Sequence, residues 1–214
     1  MEFETVAEKI KRWKYFPSRR RIKLARAALG ERMRGLDFSL PDHMYDRGRN
    51  DAAMYAASSV KALRELFSCI DTETFDKILD VGCGKGFVLW QARVYGFSKV
   101  GGVEYDQKLY DTCLRNMERL GLQNQVDVHY GNACDFAGYG DYNVFYFFNP
   151  FVTEVMEKVM RAILGACSGR EIMLVYYRPR YCQIVERAGC FERVKVLFDK
   201  EKNYEIYLYR GKVP

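Results

Sequence analysis

Two carboxylates and three glycines carry the spacing in this chain that could do chemistry. Asp80 is followed by Gly82, Gly84 and Gly86, and Glu104 stands 24 residues beyond Asp80. Ile78, Leu79 and Val81 surround Asp80 with apolar side chains, the pattern of a buried strand. Glycines at alternate positions then let the backbone turn tightly and come close to a ligand. Phe87 to Trp90 open a helix that Gly96 stops. Strand, glycine loop and helix make the first half of a nucleotide-binding βαβ unit. The second strand, Lys99 to Val103, delivers Glu104 to a place suited to the two hydroxyls of a ribose.

The glycine spacing says which nucleotide the loop is not built for. A dinucleotide fingerprint reads G-x-G-x-x-G and seats a pyrophosphate on a helix N-terminus. Here the order is G-x-G-x-G, with Phe87 next, and no G-x-x-x-x-G-K-[ST] occurs anywhere in the chain. Neither a pyrophosphate nor a triphosphate is indicated.

Asp80-Val81-Gly82-Cys83-Gly84-Lys85-Gly86, with Val103-Glu104-Tyr105-Asp106, resembles motifs I and II of the class I S-adenosylmethionine (SAM)-dependent methyltransferases. The resemblance covers residues 77 to 210. It implies SAM as cofactor, S-adenosylhomocysteine as product, and an α/β fold: a doubly wound, seven-stranded, mostly parallel sheet with an antiparallel last strand. It also implies roles. Asp80 and the backbone of Gly82, Cys83 and Gly84 line the amino-acid tail, and Glu104 accepts both ribose hydroxyls. Tyr105 lies on the adenine, and Asn132-Ala133 meets the adenine edge. Asn149-Pro150-Phe151 resembles the D/N-P-P-Y/F motif of methyltransferases acting on nitrogen, with one proline missing. In that motif a side-chain oxygen and a backbone carbonyl aim the amine at the methyl group, and the ring stacks on a planar substrate. The acceptor could be a protein side chain, an RNA base or a small amine. An aminopropyltransferase would need acidic residues after the fourth strand, which this motif does not offer. The rival of another class is a non-catalytic RNA- or protein-binding module that keeps the fold. No residue is assigned as general base; His43 and Asp42 are available in a loop, and His129 reads as structural.

The elements that must position these residues follow from periodicity. Strands are expected near 77–82, 99–104, 125–130, 142–148, 171–177, 191–198 and 203–210, the last two as a hairpin around Lys200 to Asn203. Helices are expected over 86–95, 107–120 with Asp106 as N-cap, the apolar stripe of 152–164, and a short one ending at Gly189. A helix from Asp51 to Ile70 would bury Ala56, Val60, Leu63 and Phe67, and Tyr45, Tyr55 and Ser58 could face the cofactor. Residues 1–70 read as an N-terminal helical extension, a lid or substrate-recognition element, and 71–214 as the SAM-binding domain.

Composition sets the outer limits. A chain of 214 residues that is 49% hydrophobic can bury a full core, which excludes general disorder. There is no apolar run long enough to span a bilayer and no apolar leader at the N-terminus, so a cytoplasmic location without membrane contact is expected. Seven cysteines, an odd number without C-x-x-C, read as free and mostly buried thiols, and no metal-ligand spacing appears. Residues 2–36 carry Lys9, Lys11, Arg12, Lys14, Arg19, Arg20, Arg21 and Lys23, with an apolar stripe at Ile22, Ala25, Leu29, Met33 and Leu36. That face suits a polyanion or an acidic protein; it equally suits a solvated helix packed by its stripe. The net charge of +6 is too modest to choose between them.

Overall fold

The computed structural model describes residue 27 and residues 29–39, 58–148 and 151–214. Expectations for Tyr45, Tyr55, Ala56, Asp42, His43, Asn149, Pro150 and the basic stretch before residue 27 fall outside them.

Seven strands form one sheet in the order β3-β2-β1-β4-β5-β7-β6. They are β1 (Lys77–Val81), β2 (Lys99–Glu104), β3 (Asp127–Tyr130), β4 (Val144–Phe148), β5 (Glu171–Tyr177), β6 (Phe191–Asp199) and β7 (Tyr204–Lys212). β1 to β5 pair in parallel, and β7 inserts antiparallel between β5 and β6. Period-two alternation sends Ile78, Val144, Tyr146 and Val175 to one face and Leu79, Val81, Phe145 and Leu174 to the other. Helices α1 (Val60–Phe67), α2 (Phe87–Tyr95) and α3 (Gln107–Arg119) cover the first face. Helices α4 (Thr153–Ala166) and α5 (Cys182–Arg187) cover the second. The sheet is therefore doubly wound, as expected.

α1 starts behind Ser59, whose hydroxyl accepts from the Ala62 N–H, and it buries Leu63, Leu66 and Phe67 against the sheet. Burial on this scale contributes about 1.5–3 kcal/mol per large side chain. Val60, expected inside, is 42% exposed: in the first turn of so short a helix it points away from the stripe that faces the sheet. Leu114 of α3 is likewise 40% exposed, and Asn116 takes the buried place beside Cys113 and Met117. The N-terminal stripe also breaks. Of its described members, Leu29 and Met33 are exposed, the chain leaves the helix at Met33, and Leu36 reaches the core. Phe38 follows it inside and stacks on Trp90 with ring centroids 5.5 Å apart.

The β6–β7 turn is held by one buried acid. Asp199 Oδ1 accepts from the N–H groups of Glu201 and Lys202, and Oδ2 accepts from the Tyr177 hydroxyl. All seven cysteines are free; Cys83, Cys113 and Cys167 are buried and the other four are half-exposed, fewer inside than expected. Among the described residues no helix is long and apolar enough to cross a membrane.

Candidate functional site

β1 ends at Val81, and the next turns are left-handed at Gly82 (φ 86°) and Gly84 (φ 55°), which L side chains rarely adopt. Gly86, also left-handed, heads α2; a Cβ there would stand 2.5 Å from the Cys113 sulfur. The turn directs its N–H groups into the protein. Gly82 and Cys83 both donate to the Val103 carbonyl, Gly86 donates to the Cys83 carbonyl, and Gly84 donates to Glu104 Oε2 at 2.8 Å. A phosphate-binding loop presents N–H groups to its ligand; this loop spends those of Gly82, Cys83 and Gly84 on β2. The carbonyls of Cys83, Lys85 and Gly86 are used as well, accepting from Gly86, Asn116 and Trp90.

Asp80 lies between Gly102 of β2 and Tyr146 of β4 in strand register and is buried. Among the described residues no donor or cation meets its carboxyl. Burial, and then the charge of Glu104, push its pKa well above the usual aspartate range. Glu104 is also buried, and desolvation raises its pKa, partly offset by hydrogen bonds from backbone N–H groups. Its Oε1 accepts from Tyr105 and Asp106, and its Oε2 from Gly84. A carboxylate offers about four acceptor positions, so one remains, on Oε2. The expected contact to both ribose hydroxyls would share the carboxylate with these three backbone donors. Glu104 instead doubles as the pin that fixes the glycine loop to β2.

β3 brings the third part alongside. Gly131 donates to the Glu104 carbonyl, and Asn132 follows at the surface. Asn132 Oδ1 caps a short helical turn by accepting from the Cys134 N–H. The Ala133 carbonyl is held by the hydroxyl of buried Tyr139 at 2.7 Å. Tyr105 is half-buried beside Glu104. Cys83 packs into the space Gly102 leaves, where a Cβ would stand 2.7 Å from its sulfur, and its thiol pKa is pushed up, so it serves as filler. Phe151 is half-buried against the core of the α4 face. α4 begins at Thr153 with Val152 in the cap position.

Sequence reasoning missed the clasp around the loop. Lys85, between two of the glycines, is fully buried and pairs with Asp37 at 2.8 Å. Asn116 of α3 joins them: its Oδ1 accepts from the Asp37 N–H, and its Nδ2 donates to the carbonyls of Asp37 and Lys85. A polar residue on the apolar stripe of α3 was the one readable signal. Also missed was the buried pair of Ser58 and Tyr146, whose hydroxyls are 2.7 Å apart beneath Asp80.

Two buried acids that meet no cation among the described residues fit a cationic nucleoside. SAM is one: it has a ribose, an α-ammonium and a sulfonium, and no phosphate. Asp80 would hold its tail, and Glu104 would hold its ribose. The strand order with its inserted antiparallel β7 and this site define a class I, SAM-dependent methyltransferase. Residues 47–165 match the protein-L-isoaspartate(D-aspartate) O-methyltransferase (PCMT) family, and the chain belongs to it.

Curated relatives match part of the chain. A probable cobalt-precorrin-6B C(15)-methyltransferase (decarboxylating) of Saccharolobus solfataricus is 27% identical over 96 residues, 44% of this chain and 46% of that one. An rRNA N(6)-adenosine-methyltransferase of Caenorhabditis elegans is 27% identical over 94 residues, 42% of this chain and 44% of that one. The chain thus spans less than half the length of these relatives. Among solved structures, an RNA methyltransferase from Salinibacter ruber in complex with S-adenosyl-L-homocysteine has the same fold. It aligns with TM-score 0.56 at 15% identity over 74% of this chain and 94% of that chain.

Proposed function

We propose that this chain transfers the methyl group of SAM to a nitrogen atom, and that the nitrogen belongs to an RNA base. The observation that carries this reading is the place of Asn149-Pro150-Phe151. It follows Phe148 directly at the carboxyl end of β4, the strand next to the one that ends at Asp80. An amide oxygen there would accept from an amino group and turn its lone pair toward the cofactor. The Caenorhabditis rRNA N(6)-adenosine-methyltransferase and the Salinibacter RNA methyltransferase support the same acceptor.

SAM supplies a methyl carbon already activated by positive sulfur. The nitrogen lone pair forms the new C–N bond while the C–S bond breaks, its electron pair goes to sulfur, and a nitrogen proton leaves to solvent. The protein's share is therefore alignment, which can reach effective molarities of about 10⁵–10⁸ M. We also propose residues 1–70 as the extension that covers the cofactor and meets the substrate. The docking of Asp37 and Phe38 beside the glycine loop supports it, as does the basic stretch Lys9 to Arg26 for a polyanionic partner.

A second reading follows from the family name: transfer to a carboxylate oxygen of a protein. The family match stops at residue 165, before β5, β6 and β7, so it leaves out the strands beyond β4. Incubation with methyl-labelled SAM and either RNA transcripts or an isoaspartyl peptide separates the two. Label in RNA that survives mild alkali supports nitrogen transfer. Alkali-labile label in the peptide alone is a methyl ester and would replace this reading with the second. A folded protein that binds no SAM would favour the non-catalytic module.

A further inference from the structure

Beyond the cofactor, the carboxyl edge of the sheet carries an aromatic array. Phe148, the last residue of β4, packs on Tyr177 of β5 with centroids 4.2 Å apart. Tyr204, which opens β7, closes on both, at 6.3 Å from Phe148 and 6.4 Å from Tyr177. Because β7 runs antiparallel, its first residue returns to the end of the sheet where β4 and β5 stop. Phe148 and Tyr204 are half-buried, so each keeps part of its ring at the surface.

Arg178 completes the array. It is the first residue after β5 and takes a left-handed backbone (φ 55°), a conformation unfavourable for an L side chain. Its N–H donates to the Glu205 carbonyl and its carbonyl accepts from Arg180. These bonds hold the turn that lays its guanidinium over the Tyr204 ring, 4.7 Å from the centroid. Among the described residues no carboxylate lies within ion-pair reach of it. Arg180, Lys200 and Lys202 share this rim with Glu201 and Glu205. Glu205 is turned to the opposite face of β7 from Tyr204, where it accepts from Tyr207.

We propose that Phe148, Tyr204 and Arg178 form a nucleotide-recognition subsite beside the acceptor position, with the rings taking a base and the guanidinium an adjoining phosphate. The inference rests on the RNA reading above and adds the residues that would select such an acceptor. Aromatic rings stack on any base, and a planar guanidinium offers paired donors to phosphate oxygens. An arginine already held over a ring loses little freedom when the phosphate arrives.

The test compares the full chain with Arg178→Gly and Tyr204→Leu, using a short fluorescein-labelled oligoadenylate as probe and calorimetry for SAM. Glycine removes the guanidinium and accepts the left-handed backbone, so Arg178→Gly should melt within about 2 °C of the wild type. It should bind the probe about tenfold more weakly, and the slope of log K against log salt should fall by about 0.7. SAM affinity should stay constant. Tyr204→Leu should weaken probe binding several-fold with little change in the salt slope. Equal probe binding by all three proteins would overturn the subsite and leave the RNA reading standing. A lower melting temperature for Arg178→Gly with unchanged probe affinity would make the guanidinium a packing group and overturn the subsite also. No probe binding by the wild type would overturn the RNA reading and the subsite with it.

Discussion

The ammonium of Lys85 sits 2.8 Å from the carboxylate of Asp37, with the lysine side chain fully buried and the aspartate 27% exposed. The contact spans 48 residues and ties the segment before α1 to the middle of the glycine loop. Asn116 locks the same junction from α3. Removing one partner of a buried pair leaves the other charge in a low-dielectric site. Asp37→Ala should therefore cost about 2–3 kcal/mol in urea unfolding, less than a fully buried pair because Asp37 is partly solvated. Lys85→Met added to it should recover part of the loss. A cost below about 0.5 kcal/mol, typical of a surface pair, would mean the clasp holds nothing.

Glu104, which we propose binds the ribose, also holds the Gly84 N–H. Its replacement removes both contacts. Glu104→Ala should weaken SAM by at least about tenfold, or 1.4 kcal/mol, in calorimetric titration. Unchanged affinity would remove the ribose assignment.

Asp80 makes stability depend on pH in a direction that can be worked out. Its folded pKa lies above its unfolded value, near 3.9. The folded state therefore holds the proton after the unfolded chain has lost it. The stability this contributes is complete below about pH 3.9 and is lost as pH rises through the raised folded value. Asp80→Asn cannot ionise, so without ligand it should gain stability over the wild type as pH rises from about 4 through neutrality. The same variant should bind SAM more weakly, because the ammonium loses its counter-charge. Melting curves across pH check the first part, and a constant difference between the two proteins would contradict it.

We propose that Asn149, the residue that follows β4 in the sequence, aims the acceptor amine. Asn149→Ala should lower turnover by about 10²-fold or more, the scale of losing an aligning contact, and leave SAM affinity within about twofold. Matching losses in turnover and SAM affinity would assign Asn149 to the scaffold.

Much of the cofactor side was legible because its parts are close in sequence. Strand, loop and helix around Gly82, Gly84 and Gly86 are local, and the left-handed angles there demand glycine whatever surrounds them. The N-cap of α3 was equally local: Asp106 accepts from Lys108 and Leu109, two and three residues on. The ends of elements were less legible. β3 is shorter than its apolar pattern suggested, and α1 begins at Val60 among the described residues, since a helix end is set by capping and packing together.

What the sequence determined by itself, then, is the alternation of strands and helices, the glycine turn, and the two acids at the ends of β1 and β2. Each follows from chain stiffness, side-chain period or the missing Cβ of glycine, all properties of neighbours in sequence. Tertiary structure decided the rest. It spent the N–H groups of Gly82, Cys83 and Gly84 on β2. It used three acceptor positions of Glu104, and it buried Lys85 against Asp37. It also carried Tyr204, by an antiparallel return strand, to the end of the sheet where Phe148 and Arg178 lie. These outcomes depend on which distant groups compete for the same hydrogen bonds and the same space, and only the packed fold settles that competition.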